Sequence, residues 1–181
     1  MKTLVLGGIK SGKSRFADSL ATQTEMHVVY IATATAGDDE MRQRIMHHRD
    51  TRPSHWQLIE EPICPGEVIA AHSSKDSCIL VDCLTLWMTN LLLTSDDELL
   101  KQQKSVLLES VKTSPAPIIL VGNETSMGVV PLGELTRRYC DEAGLLHQEL
   151  AAACDTVVLT VAGLPTWLKG SHNQRELNVV H

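Results

Sequence analysis

Thr3-Leu4-Val5-Leu6-Gly7-Gly8-Ile9-Lys10-Ser11-Gly12-Lys13-Ser14 decides the architecture, because an apolar strand runs straight into a G-x-x-x-x-G-K-S loop. Such a loop binds phosphate. Gly7 and Gly12 let the backbone fold around an anion with its N–H groups pointing inward, Lys13 reaches the outer phosphates, and the Ser14 hydroxyl serves Mg2+. The helix that begins after Gly12 adds the positive end of its dipole. A glycine turn that binds nothing would account for Gly7 or Gly12, but not for Lys13-Ser14 beside them.

Outward from this loop, a helix is expected over about residues 13–21 and a second strand over 27–32, dense in β-branched residues. Residues 33–37 are small and polar and form a loop at that strand's end. Asp38-Asp39-Glu40 then opens a helix reaching about residue 49, its carboxylates favouring the N-terminal dipole. A short strand at 55–60, a short helix at 65–72 and the apolar strand Cys78-Ile79-Leu80-Val81-Asp82 follow. Residues 84–111 read as helical with a break at Thr94-Ser95-Asp96-Asp97, where an aspartate or serine can cap a second helix. Next come a buried strand at 118–122, a loop at 123–131, a helix from about 132 to 153 and a strand at 156–161. Gly163-Leu164-Pro165 turns the chain into Thr166-Trp167-Leu168, and Pro165 confines that last strand to a sheet edge.

This alternation predicts an α/β fold of the P-loop NTPase kind: a doubly wound, mostly parallel sheet with helices on both faces and an antiparallel edge strand near the C-terminus. Ligands then bind beyond the carboxyl ends of the strands, where residues 7–14, 33–37, Asp82 and 123–131 should converge.

The 181 residues, 43% of them apolar, suffice for one well-filled core, read as a single domain over 1–169 with a polar tail at 170–181. A net charge of −6 argues against non-specific nucleic-acid binding, which needs clustered Lys and Arg, but not against a small anionic ligand. Neither a secretory leader nor an apolar stretch of spanning length is apparent, so the chain reads as cytoplasmic with no membrane insertion. Five cysteines without a C-x-x-C pair signal neither a disulfide framework nor a zinc site. A lone phenylalanine leaves the core to Leu, Val, Ile, Ala and Met, which suits a buried parallel sheet.

Asp82 stands where a P-loop protein places the carboxylate that holds Mg2+, or else it caps the next helix. His47 and His48 follow Arg44 by three and four residues, so either can share its helix face near the phosphates. A neutral imidazole nitrogen attacks phosphorus without prior loss of a proton, although a solvated polar face explains the same spacing. His47, His48 and His55 lack zinc-ligand spacing.

The run Gly7 to Arg15, then Tyr30-Ile31-Ala32-Thr33-Ala34, Asp38-Asp39-Glu40-Met41, Arg44-Ile45-Met46-His47-His48-Arg49, Arg52-Pro53 and His55-Trp56 resembles the adenosylcobinamide kinase/adenosylcobinamide-phosphate guanylyltransferase family. Asn123-Glu124, Met127-Gly128-Val129-Val130-Pro131, Asp141, Gly144, Gln148 and Gly163-Leu164-Pro165 continue the match in order. Four positions depart from it: Asp82 stands where glutamate is common, Cys140 and His147 where Arg and Asn are expected, and Ser126 where glycine is common.

The resemblance implies that His47 becomes guanylylated. It also implies GTP contacts from Gly7, Gly8, Ile9, Lys10, Ser11, Gly12, Lys13 and Ser14, from Ala32, Thr33 and Ala34, from His48, Arg49, Asp50 and Thr51, and from Glu60 and Asp82. It implies further that adenosylcobinamide is phosphorylated with ATP or GTP, and that adenosylcobinamide phosphate then receives GMP from GTP. A homo-oligomer, a trimer, is implied too, and the apolar helix at 84–93 with Trp87 and Met88 is either its contact face or core. Two other readings are a P-loop small-molecule kinase without guanylyl transfer and a non-enzymatic GTP-binding protein. The last lacks support, since Asn123-Glu124-Thr125-Ser126 is not the N-K-x-D guanine reader.

Overall fold

The computed structural model of the chain describes residues 1–35 and 53–170. Strand β1 (Lys2–Gly7) leads through the loop to α1 (Lys13–Gln23), then β2 (His27–Ala32) and β3 (Gln57–Glu60). After these come α2 (Pro65–His72), β4 (Ser77–Asp82), α3 (Leu84–Leu93), α4 (Asp97–Thr113) and β5 (Ile118–Asn123). The long α5 (Glu134–Ala153), β6 (Thr156–Val161) and β7 (Leu164–Lys169) complete the order. Seven strands form one sheet in the order β3-β2-β4-β5-β1-β6-β7, parallel throughout except for the antiparallel β6–β7 pair.

The strand period of two divides the core between the faces. Leu4 and Leu6 of β1, Ile79 and Val81 of β4, and Ile118 and Leu120 of β5 point to the side covered by α2, α3, α4 and α5. Val5, Leu80, Ile119 and Val121 point to the other, against Ala17, Leu20 and Ala21 of α1. Both faces of β1, β4 and β5 are buried, and that is why these strands read as unbroken apolar runs. In α3, Leu84, Trp87, Met88, Leu91 and Leu92 are all buried within this chain, so that face is core.

The expected break in the helical stretch falls between α3 and α4, where the Asp96 carboxylate accepts the Leu99 N–H at 3.0 Å and caps α4. Boundaries differ from expectation at β3, α5 and β7, the last already pairing at Leu164 and Pro165 with Val161 and Thr160. β3 starts at Gln57 because Trp56 is drawn out of the strand line: its N–H donates to the Pro53 carbonyl, and its ring stacks on Tyr30 with centroids 6.3 Å apart. α5 starts at Glu134 because Gly133 keeps an extended backbone, its carbonyl receiving the Arg137 N–H at 3.0 Å. β7 lies at the sheet edge, where Pro165 needs no ladder partner, and Trp167 meets Phe16 of α1 edge to face. Among the described residues no helix is long and apolar enough to cross a membrane. The helix expected from residue 38, and the tail beyond 170, lie outside the described residues.

Candidate functional site

The phosphate loop leaves β1 at a position that tolerates only glycine. A Cβ on Gly7 would stand 2.3 Å from Thr160 Oγ1, 2.4 Å from Ser11 Oγ and 2.7 Å from the Thr160 carbonyl oxygen. Gly7 is wedged between β5 and β6, in register with Asn123 and Thr160. The loop returns through Gly12, whose φ of 94° places it in the left-handed region just before α1.

Hydrogen bonds fix the loop to the β6–β7 hairpin. The Ser11 N–H donates to the Gly8 carbonyl at 3.2 Å, and the Gly163 N–H donates to the Ser11 carbonyl at 2.9 Å. Ser11 Oγ and Thr160 Oγ1 are 2.9 Å apart, and Thr160 Oγ1 donates to the Leu6 carbonyl at 3.1 Å. A threonine hydroxyl has one proton, so Ser11 is the donor of the pair. The first turn of α1 has neither an acidic residue nor a side-chain cap. Its N–H groups and dipole therefore present a cradle suited to an anion. Lys13 Nζ lies across the loop, donating to the Gly8 carbonyl at 3.2 Å.

Asp82 ends β4, which β5 separates from β1, and pairs with Ala32 of β2 and Val121 of β5. Its Oδ2 accepts the Tyr30 hydroxyl at 3.0 Å. The N-cap position of α3 is occupied by Cys83 rather than Asp82, and no side chain caps that helix. Ser14 and Asp82 are hard oxygen donors of the type Mg2+ takes. Among the described residues no group of three His, Cys, Asp or Glu could hold a metal ion alone. Burial, then the Asp82 charge, pushes the neighbouring Cys83 thiol up to about 11, so it stays protonated beside the site.

The end of β2 is locked to β4. The buried Thr33 hydroxyl donates to the Cys83 carbonyl at 2.6 Å and accepts the Cys83 N–H at 2.9 Å, while Asn90 Nδ2 bridges the carbonyls of Thr33 and Pro62. The Thr33 side chain is thus committed to the scaffold. Glu60 pairs in register with Ala32 and is exposed at the end of β3, with Ala34 just beyond β2. The fold therefore gathers Gly7, Gly8, Ile9, Lys10, Ser11, Gly12, Lys13, Ser14, Ala32, Glu60 and Asp82 along one sheet edge. His47, His48, Arg49, Asp50 and Thr51 lie outside the described residues. Sequence reading missed Thr160, whose only hint is a polar residue inside the apolar run of β6, and Asn90, whose partners lie on distant segments.

Known proteins resemble the chain in sequence and in fold. The family described as cobinamide kinase / cobinamide phosphate guanyltransferase matches residues 3–168. The chain is 54% identical over 170 residues to the bifunctional adenosylcobalamin biosynthesis protein CobP of Pseudomonas aeruginosa, covering 94% of this chain and 98% of that protein. It is 38% identical over 182 residues to the bifunctional adenosylcobalamin biosynthesis protein CobU of Salmonella typhimurium, covering 93% and 100%. Among solved structures, the RadB recombinase aligns with a TM-score of 0.50 at 19% identity, over 87% of this chain and 73% of that one. A likeness at that identity speaks for the fold alone.

Proposed function

The chain belongs to the cobinamide kinase / cobinamide phosphate guanyltransferase family, and we propose that it performs both reactions at its one phosphate-binding loop. In the first, the hydroxyl of the aminopropanol arm of adenosylcobinamide takes the γ-phosphoryl group of ATP or GTP. In the second, that new phosphate receives GMP from GTP, giving adenosylcobinamide-GDP and pyrophosphate. The observation that carries this reading is the built loop, Gly7 to Ser14 at the mouth of α1, in a chain the family matches over residues 3–168.

For guanylyl transfer, a ring nitrogen of His47 attacks the α-phosphorus of GTP, the bond to the bridging oxygen breaks, and pyrophosphate leaves. The acceptor phosphate then attacks the same phosphorus and releases His47. Covalent catalysis divides one displacement into two, while Lys13 and the N-terminus of α1 offset charge on the departing pyrophosphate. Ser14 and Asp82 would hold Mg2+, which supplies further neutralisation of the phosphate oxygens when bound. GTP contacts are assigned to the loop residues, to the backbone of Ala32, Thr33 and Ala34, and to His48, Arg49, Asp50, Thr51 and Glu60. The kinase step uses the same loop and needs no covalent intermediate, because positioning and charge neutralisation suffice for phosphoryl transfer. We assign residues 1–169 to one catalytic domain, working in the cytoplasm as a homo-oligomer, a trimer by family resemblance.

The test is the reconstitution of each half-reaction with purified protein. Adenosylcobinamide with ATP should give its phosphate, and addition of GTP should convert that to adenosylcobinamide-GDP with one pyrophosphate per turnover. Phosphate product without any GDP product would reduce the protein to a small-molecule kinase. Slow GTP hydrolysis with neither product would make it a GTP-binding protein of another kind.

A further inference from the structure

Four carboxylates stand at or just beyond the carboxyl-terminal ends of the described strands: Glu60, Glu61, Asp82 and Glu124. Three of them are placed or occupied elsewhere. Glu61 Oε1 accepts the N–H groups of Ile63 and Cys64 ahead of α2, Asp82 receives the Tyr30 hydroxyl, and Glu60 lies on the outermost strand β3. Glu124 differs. It follows β5, the strand between the one that carries the phosphate loop and the one that carries Asp82. Its N–H donates to the Gly7 carbonyl at 3.1 Å, which holds it beside the first residue of the loop.

Its carboxylate is fixed on one side only. Oε1 accepts the Ser126 N–H at 2.7 Å and also the Ser126 hydroxyl, whereas Oε2 has no hydrogen-bond partner among the described residues. Burial raises the pKa of this group, but the two Ser126 bonds and the nearby His147 outweigh burial and hold it below the usual carboxylate range. It is therefore ionised at neutral pH. Next to it, Asn123 Oδ1 is buried without a partner among the described residues, a polar capacity the fold does not consume. Met127, Val129, Val130 and Leu132 are exposed on the loop that follows, Val129 almost fully at 96%. They give a large, partly apolar acceptor a surface to lie against.

We propose that Glu124 Oε2 takes the proton from the acceptor hydroxyl during the kinase step, an inference that rests on the functional reading above. The hydroxyl oxygen bonds to the γ-phosphorus, the bond from that phosphorus to the bridging oxygen breaks with its electron pair leaving on ADP, and the hydroxyl proton passes to Glu124. A carboxylate serves because the proton is lost late, as in protein kinases whose catalytic aspartate has the same task. Guanylyl transfer makes no such demand. Its acceptor is a phosphate oxygen that carries no proton to remove.

That asymmetry supplies the test. Glu124→Gln keeps the shape of the side chain and an oxygen for both Ser126 bonds while removing the base. Kinase turnover of adenosylcobinamide with ATP should fall about a hundredfold or more, with the KM for adenosylcobinamide within about threefold. GMP transfer to presynthesised adenosylcobinamide phosphate should stay within about threefold, with the melting temperature unchanged. Undiminished kinase turnover would overturn the assignment, and so would an equal fall in both half-reactions, which marks a structural role. A wild-type protein with no kinase turnover would instead refute the functional reading on which the inference stands.

Discussion

Gly7→Ala tests the architecture of the phosphate loop with a single carbon atom. The added Cβ would approach Thr160 Oγ1 to 2.3 Å and the Thr160 carbonyl to 2.7 Å, and backbone cannot swing aside as a flexible side chain can. β1 must therefore part from β6 at the Gly7–Thr160 pair, and the bond between Ser11 and Thr160 is lost with it. Overpacking of this kind costs about 1–3 kcal/mol, and a hydrogen bond adds about 1 kcal/mol. The expected loss is about 2–4 kcal/mol, which for a chain of this size lowers the melting temperature by roughly 5–15 °C. Gly8→Ala is the control, since a Cβ there meets nothing within 4 Å and its stability should change by less than about 0.5 kcal/mol. Urea denaturation of both variants beside the wild type decides the matter. If Gly7→Ala is as stable as Gly8→Ala, the loop is not clamped against β6 and the reasoning fails.

Two further outcomes are expected. Asp82→Asn keeps a possible oxygen ligand but loses the negative charge, so the Mg2+ concentration that gives half-maximal GMP transfer should rise several-fold; an unchanged Mg2+ titration would remove Asp82 from the cation site. Burial pushes the thiols of Cys78 and Cys154 from 9.0 up to about 11, so the native state keeps them protonated while the unfolded chain releases their protons. Their stabilising contribution is complete below pH 9 and is lost as pH rises from 9 towards 11, on the order of 1 kcal/mol for each at pH 10. Urea midpoints at pH 8 and pH 10 should show this loss, and it should shrink in a Cys78→Ala/Cys154→Ala variant.

The parts of the fold that sequence revealed are those governed by neighbours in the chain. The apolar runs of β1, β4 and β5 are continuous because both faces of the sheet are covered. Asp96 caps α4 through a residue three places on, and Pro165 excludes β7 from the sheet interior. What escaped depends on distant partners. Trp56 leaves the strand line to stack on Tyr30, 26 positions back in the chain by their numbers, and no local pattern announces it. Ser11 is tied to Thr160 across a separation of 149 residues, so the clamp on Gly7 was invisible although the glycine itself was not. Glu124 was visible as part of a motif, but its place beside Gly7 follows from β5 pairing with β1. Strand and helix alternation alone does not fix that order.

The central claim is that this loop serves a guanylyl transferase working through His47, and a pulse and chase with GTP labelled at the α-phosphate tests it most directly. The protein should take up one GMP per site with release of pyrophosphate, in a linkage labile to acid and stable to base. Addition of adenosylcobinamide phosphate should move that label to adenosylcobinamide-GDP at the rate of turnover. His47→Ala should abolish the adduct, while His48→Ala, about 100° away if the two sit on a helix, should slow its formation without removing it. Label that persists in His47→Ala, or that remains on the protein after the chase, would contradict the account.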